Sequence, residues 1–249
     1  MHDILGCNFE TTGRTARWSH SWKILTVTME ARHVTHALED YLKAIYQLSE
    51  ENRPVIAARL ADETGVSPST IFATLRRLAK EGYVKINRRK EIHLTEDGKQ
   101  VAEKIVRRHF LTERFLTDLL GLDWVKAHQE AHRLEHAISQ EVEERLAKLL
   151  SHPTTCPHGN PIPGASSTPG PKTMALNEAV EGQDVELDYI TEGGERDVRL
   201  LAYLQTHGLK PGAKVHIVDV APSLGMMTLT VDDDEFSLGI EAAKKIRVH

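Results

Sequence analysis

The sequence predicts an α+β protein of several small domains: helices with one β-hairpin first, a helical middle, and a small β-barrel at the end. Three observations carry this. Apolar residues recur at helical spacing over residues 38–80 and again over 96–150. Six of the ten prolines, Pro153, Pro157, Pro161, Pro163, Pro169 and Pro171, gather in residues 151–173. Beyond them, short alternating runs separated by Gly and Asp replace the helical period.

Taken in order, residues 1–28 show no steady period, and no apolar core follows their Arg14, Arg17 and Lys23 as it would in a secretory signal. They read as an extension ahead of Met29, disordered or preceding the native start. Leu38, Tyr41, Leu42, Ile45 and Leu48 mark a first helix. A short second helix spans Val55–Thr64 and ends at Gly65. Ser67-Pro68 then reads as an N-cap followed by a first-turn proline, opening a third helix, Pro68–Lys80, expected to bury Ile71, Phe72, Leu75, Leu78 and Ala79. Tyr83–Ile86 and Glu91–Thr95, around the polar tip Asn87–Lys90, form a hairpin. A long helix runs from Thr95-Glu96-Asp97-Gly98 to about Leu120, followed by helices from about Asp123 to Ala137 and from Ser139 to Leu150. The Pro-rich stretch reads as a linker. Val185–Ile190, Lys214–Val220, Met226–Val231 and Lys245–Val248 then read as barrel strands, with a helix over Asp197–Thr206.

Composition narrows the function. No run approaches the length of a membrane-spanning helix. Two cysteines, Cys7 and Cys156, make neither a disulfide framework nor a Cys-rich zinc domain, which suits the reducing cytoplasm. The net charge of −5 hides an asymmetry. Residues 53–108 carry 13 Lys and Arg against 7 Asp and Glu, a balance of +6, whereas residues 174–249 carry 7 against 14, a balance of −7. The basic segment is a candidate footprint for phosphate.

Helix, short helix, tight turn, helix and hairpin is the plan of a winged helix-turn-helix. With its apolar stripe inward, the third helix turns Ser69, Thr70, Ala73, Thr74, Arg76, Arg77 and Lys80 outward. Small residues at its start permit close approach to base edges in a major groove, and the N-terminus that Ser67 and Pro68 open offers the backbone N–H groups of the residues after them to a phosphate. Arg88, Arg89 and Lys90 at the hairpin tip suit phosphates beside the groove. The expected partner is DNA, with no membrane and no small organic substrate.

The histidines are not scattered. His128, His132 and His136 fall four residues apart on one helix face, with Glu135 beside the last. His109 and Glu113 repeat the spacing on the preceding helix. Imidazole and carboxylate one turn apart can chelate one ion. His132-Arg133-Leu134-Glu135-His136 also matches H-x-x-E-H, the inverted zinc-protease motif, so a small zinc hydrolase is one alternative. A winged-helix regulator with merely structural histidines is another.

Further stretches carry a resemblance: Glu39-Asp40-Tyr41-Leu42 with Ile45-Tyr46, Val66-Ser67-Pro68-Ser69, Arg108–Leu116, Leu134-Glu135-His136 and Gly159-Asn160-Pro161-Ile162-Pro163-Gly164. From about residue 36 onward the chain resembles the diphtheria toxin repressor family of metal-dependent transcription regulators. The resemblance implies an N-terminal winged helix-turn-helix over residues 29–95, a helical metal-binding and dimerisation domain over 96–151, the linker over 152–173 and a C-terminal SH3-like β-barrel over 174–249. It implies a homodimer that binds a palindromic operator when divalent metal is present, with two metal positions per subunit. One would use Asp40, His132, Glu135 and His136. The other would use His109, Glu113 and His128, completed from the SH3-like domain by Asp197, with Glu195 second. Asp40 and His132 stand where the iron-responsive branch has methionine and cysteine, so the first position has no sulfur. The manganese-responsive branch shares the Asp but has Glu in place of His132, and an acidic ligand where this chain has Lys43. Oxygen and imidazole donors favour Mn²⁺, with Fe²⁺ second.

Overall fold

The computed structural model describes residues 34–50, 53–165 and 172–249. The expected extension over 1–28 and the linker residues 166–171 lie outside the described residues. Helices α1 (His36–Ser49), α2 (Ala57–Thr64) and α3 (Pro68–Lys80) enclose Leu38, Leu42, Ile45, Leu60, Ile71, Leu75 and Leu78. Ser67 starts α3 as expected: its Oγ accepts from the Thr70 N–H at 3.3 Å, and Pro68 follows where no intrahelical donor is needed. The expected burial of Phe72 and Ala79 fails. The inward stripe of α3 is Ile71, Leu75 and Leu78; Phe72, one residue on and so roughly 100° around the helix, is 52% exposed.

Strands β1 (Val84–Ile86) and β2 (Ile92–Leu94) form the hairpin, with Val84 opposite Leu94 and Ile86 opposite Ile92. Its tip is a built turn, because Asn87 Oδ1 accepts from the N–H groups of Arg89 and Glu91 at 2.9 and 3.0 Å. Helix α4 (Glu96–Arg114) begins against it: a Cβ at Gly98 would lie 2.0 Å from the Tyr83 carbonyl oxygen. A π-helical turn, Phe115–Leu119, ends α4. Helices α5 (Trp124–Leu134) and α6 (Gln140–Leu149) follow. α5 stops short of Ala137, so Glu135 and His136 stand in the turn that leaves it. Glu143 of α6 accepts from Arg107 and Arg108 of α4 at 3.0 and 3.1 Å.

The described part of the Pro-rich stretch is packed rather than free. Cys156 and Ile162 are buried among Val106, Phe110, Leu111 and Ala147. A Cβ at Gly159 (φ +93°) would sit 2.2 Å from the Asp188 carbonyl oxygen, so this loop presses directly on the following domain. That domain comprises β3 (Met174–Ala175), β4 (Asp184–Ile190), α7 (Glu192–Glu195), α8 (Val198–Thr206), β5 (Lys214–Ala221), β6 (Met226–Val231), β7 (Asp234–Gly239), α9 (Ile240–Ala243) and β8 (Ile246–Val248). The strands form one antiparallel sheet in the order β3-β8-β4-β5-β6-β7. Leu187, Ile190, Val215, Ile217 and Leu229 pack with Leu200, Leu201 and Leu204 of α8. Trp124 of α5 enters the same core, and its N–H donates to Gln205 at 3.0 Å, so the sheet domain docks on α5.

Candidate metal centre and nucleic-acid interface

Glu135 lies at the middle of the histidine cluster and is completely buried. Its Oε1 faces His132 Nδ1 at 3.1 Å and His136 Nε2 at 3.5 Å. Its Oε2 accepts from Lys43 Nζ at 2.8 Å and lies 2.6 Å from His109 Nδ1. Burial opposes ionisation of this carboxyl, but Lys43 first, then His109 and His132, hold it well below the usual range. His136 reaches across to α1: Nε2 is 3.0 Å from Asp40 and Nδ1 is 2.7 Å from Glu39. All four residues expected at the first position therefore converge. Ligand atoms of Asp40, His132 and Glu135 lie within 4.8 Å of one another, and His136 touches both carboxylates.

The second expected group also assembles, with one correction. His109 Nε2 is 3.0 Å from Glu113 Oε1 and 3.3 Å from His128 Nδ1, and His128 is 2.8 Å from the same Glu113 oxygen. The residue that joins them from the sheet domain is Glu195, whose Oε2 is 3.7 Å from His128. Asp197 does not join. It is the exposed N-cap of α8, accepting from Leu200 N–H at 3.2 Å and pairing with Lys245 at 3.1 Å. The short helix α7 explains the exchange, because it turns Glu195 inward and leaves Asp197 to start the next helix. Burial and Lys43 both disfavour the imidazolium of His109, but Glu113 and Glu135 outweigh them and push it up to about 9. Burial opposes charge on Glu113 as well, yet His109 and His158 hold that carboxyl well below the usual range.

Sequence reasoning missed several participants. Lys43 and Glu39 stand on α1 beside Asp40, on the face that meets the turn after α5. Cys156 and His158, completely buried, come from the stretch read as a linker, where the Cys-x-His spacing was the available signal. His158 Nδ1 is 3.2 Å from Glu195 Oε1 and 3.6 Å from Glu113 Oε2. Burial, then Glu195, push the Cys156 thiol up to about 12. Glu192 was missed too: although burial opposes its charge, Lys43 and Arg196 pull its carboxyl down to about 2. A cavity of about 330 Å³ lies here, lined by Asp40, Lys43, Glu63, His128, His132, Glu192 and Arg196. Arg196 donates across it to Glu63 of α2 and, at 3.1 Å, to Gln47 of α1.

On the other side of the first domain, Ser67, Pro68, Ser69, Thr70, Ala73, Arg76, Arg77 and Lys80 are exposed along α3, and Thr74 is half-buried. Arg88, Arg89 and Lys90 project from the hairpin tip. Arg77 pairs with Glu81 at 2.8 Å, an exposed contact of little energetic weight. Exposed Phe72 adds an apolar ring to this face.

A winged helix whose first helix shares a histidine–carboxylate cluster with the next domain defines a metal-dependent DNA-binding regulator. Comparison with known proteins makes this specific. Residues 33–92 match the iron dependent repressor N-terminal DNA binding domain, residues 95–164 its metal binding and dimerisation domain, and residues 174–249 the FeoA domain. The chain is 34% identical over 220 residues to the iron-dependent repressor IdeR of Mycobacterium leprae, covering 84% of this chain and 95% of that protein. It is 33% identical over 229 residues to the diphtheria toxin repressor of Corynebacterium diphtheriae, with the same coverages of 84% and 95%. A solved manganese-dependent transcriptional repressor in complex with manganese superposes with a TM-score of 0.76 at 33% identity, covering 85% of this chain and 98% of that one. The chain belongs to the iron-dependent repressor family: it is a metal-dependent transcriptional repressor, and that family is one of DNA-binding regulators rather than enzymes.

Proposed function

We propose that the chain is a cytoplasmic homodimeric repressor of metal-homeostasis genes, activated by Mn²⁺, with Fe²⁺ second. The observation that carries this is the seam at His136, where one imidazole of the helical domain meets Asp40 and Glu39 of the DNA-reading domain. Asp40, His132, Glu135 and His136 supply only oxygen and nitrogen, donors that suit these ions better than thiophilic ones. The residues fit a divalent cation on their own chemistry, since buried Glu113 Oε2 and Glu195 Oε2 have no hydrogen-bond partner. A second position is assigned to His109, Glu113, His128 and Glu195.

Bound cation supplies the positive charge that lets these carboxylates and imidazoles converge. The chain does the rest. Asp40 ties α1 to the turn after α5, and so sets the angle at which α3 is presented. Ser69, Thr70, Ala73, Thr74 and Arg76 meet base edges, while Ser67, Pro68, Arg77, Arg88, Arg89 and Lys90 meet phosphates. Leu119, Leu120 and Leu149, 52%, 55% and 60% exposed on the helical domain, suit a partner subunit. Two-fold symmetry then makes the operator palindromic.

The test is operator binding titrated anaerobically with Mn²⁺, Fe²⁺ and Zn²⁺, in the parent and in Asp40→Ala. A coupling of about 1–3 kcal/mol predicts a 5- to 150-fold metal response in the parent. The folded variant should show none; a wild-type response there refutes the bridging role.

A further inference from the structure

Helix α3 carries a large apolar side chain on its outside. Ile71, Leu75 and Leu78 are buried, whereas Phe72 is 52% exposed. At about 100° per residue, with Ile71 set at zero, Leu75 and Leu78 fall at about 40° and −20°, and Phe72 at about 100°. Arg76, Ser69, Lys80 and Ala73 follow at about 140°, 160°, 180° and 200°, and all four are exposed. Phe72 therefore stands outside the core stripe, on the flank of the polar and basic face. Its neighbours one turn away are Ser69, three residues before it, and Arg76, four after. Ala73 follows it in the chain and ends in a single methyl. So small a side chain lets the helix come close to a surface in front of it, and the ring beside it then reaches that surface too.

We infer that Phe72 is a base-reading residue, which lays its ring against the 5-methyl group of a thymine in the major groove. The inference rests on the reading of α3 as the DNA-recognition helix and deepens it to one base. Thymine presents an apolar group at the major-groove edge, where the other three bases present donors and acceptors only. A phenyl ring makes no hydrogen bond, so setting it against those groups strips water from them without compensation. The ring thus gains by meeting a thymine methyl and loses by meeting another base, which is what discrimination requires. The charge around the ring fits DNA as its partner. Arg76 and Lys80 share its helix, Arg88, Arg89 and Lys90 project from the hairpin tip, and residues 53–108 carry 13 Lys and Arg against 7 Asp and Glu. Such a surface draws a phosphate backbone toward it, and Phe72 then faces the groove between the strands.

The experiment uses the full chain, loaded anaerobically with Mn²⁺ or Fe²⁺, and a random-sequence DNA duplex pool from which it selects its binding site. Each thymine of the selected duplex is then replaced in turn by deoxyuridine, which lacks the 5-methyl group and keeps every hydrogen-bonding group. At one position in each half-site the parent should lose about four-fold in affinity, the value of one buried methyl-sized group at about 0.8 kcal/mol. Phe72→Ala should bind the thymine and deoxyuridine duplexes equally at that position. Phe72→Leu, apolar but shorter in reach, should keep part of the difference. Both variants should keep the parent's salt slope, because no phosphate contact is removed. Both leave Ile71, Leu75 and Leu78 in place, and circular dichroism checks that they are folded. The inference is overturned if no thymine of the parent's site responds to loss of its methyl, or if Phe72→Ala responds as the parent does. Equal weakening of every duplex by Phe72→Ala, with the thymine-to-deoxyuridine ratio unchanged, overturns it too. A parent that selects no sequence with either metal refutes the repressor reading and this inference with it, a result distinct from a selected site with no methyl-sensitive position.

Discussion

Lys43→Met probes the ammonium buried beside the centre. Lys43 is 4% exposed, and its Nζ lies 2.8 Å from a carboxylate that is itself completely buried. Breaking a buried pair by removing one partner costs about 3–5 kcal/mol, because the other charge is left without compensation. Here the lower end applies: His109, 2.6 Å from Glu135 and pushed up to about 9, already places a positive charge beside the carboxylate. Methionine keeps the length of the stem, so little of the loss comes from a cavity. The expectation is about 3 kcal/mol in chelator-treated protein, or roughly 6–12 °C in the unfolding midpoint for a chain of this size. Urea unfolding of Lys43→Met, Glu135→Gln and the double variant completes the cycle. The double variant should recover about 2 kcal/mol relative to the sum of the single ones. Saturating Mn²⁺ should stabilise Lys43→Met more than the parent, since the cation then no longer competes with an ammonium for Glu135 Oε2. A single variant within about 0.5 kcal/mol of the parent, with no coupling in the cycle, refutes the claim that Lys43 neutralises Glu135.

Other consequences follow from the same contacts. Arg88→Ala with Arg89→Ala should weaken binding to all DNA sequences about equally and lower the salt slope by about 2, read by fluorescence anisotropy over a salt series. Arg196→Ala removes the donor that reaches Glu63 and Gln47 from the sheet domain; hydrogen exchange in α2 should quicken, by an amount corresponding to about 1 kcal/mol at this partly exposed pair. Chelator-treated protein should lose stability as pH rises. His109 is pushed from 6.5 in the unfolded chain up to about 9 in the fold, so its contribution is complete below pH 6.5 and vanishes as pH climbs through 9. Urea midpoints measured from pH 6 to 10 should fall across that window by the equivalent of at most about 3 kcal/mol, while apparent Mn²⁺ affinity rises over the same interval.

What was legible in the sequence was whatever repeats or punctuates. Ile71, Leu75 and Leu78 of the α3 stripe, the Ser67-Pro68 start and the polar hairpin tip are local signals, and each appears where the sequence reading placed it, whereas Phe72 and Ala79 are exposed. Phe72 was misread because burial was inferred from residue type where the helical angle decides. The centre was half legible. His109, Glu113, His128, His132, Glu135 and His136 announce themselves by spacing along two helices. The residue that joins them from the sheet domain, Glu195, does not, because no period links it to those helices. Asp197 looked the better candidate, whereas a four-residue helix, too short for any pattern to reveal, turns Glu195 inward instead. Cys156 and His158 were hidden by composition. Proline and glycine suggested a tether, while the burial of Cys156 and Ile162 against α4 and α6 holds the loop in place.

The contacts between domains constrain how the switch can work. Lys43 joins α1 to the end of α5, and Arg196 joins the sheet domain to α1 and α2. The Arg196 tie uses none of the groups proposed to hold metal, so it does not depend on their occupancy. What lies unbalanced is the seam itself: Asp40, Glu39 and Glu135 crowd around His136, with the Lys43 ammonium beside Glu135. A ligand shifts a conformational equilibrium only by its difference in affinity for the two states. That difference is greatest where acidic groups from two domains must approach each other, at Asp40 and Glu135. The Lys43 and Arg196 ties then act in the opposite sense. On the proposed reading, they hold part of the active arrangement in advance and leave less for the metal to supply, which lowers the metal concentration needed for operator binding.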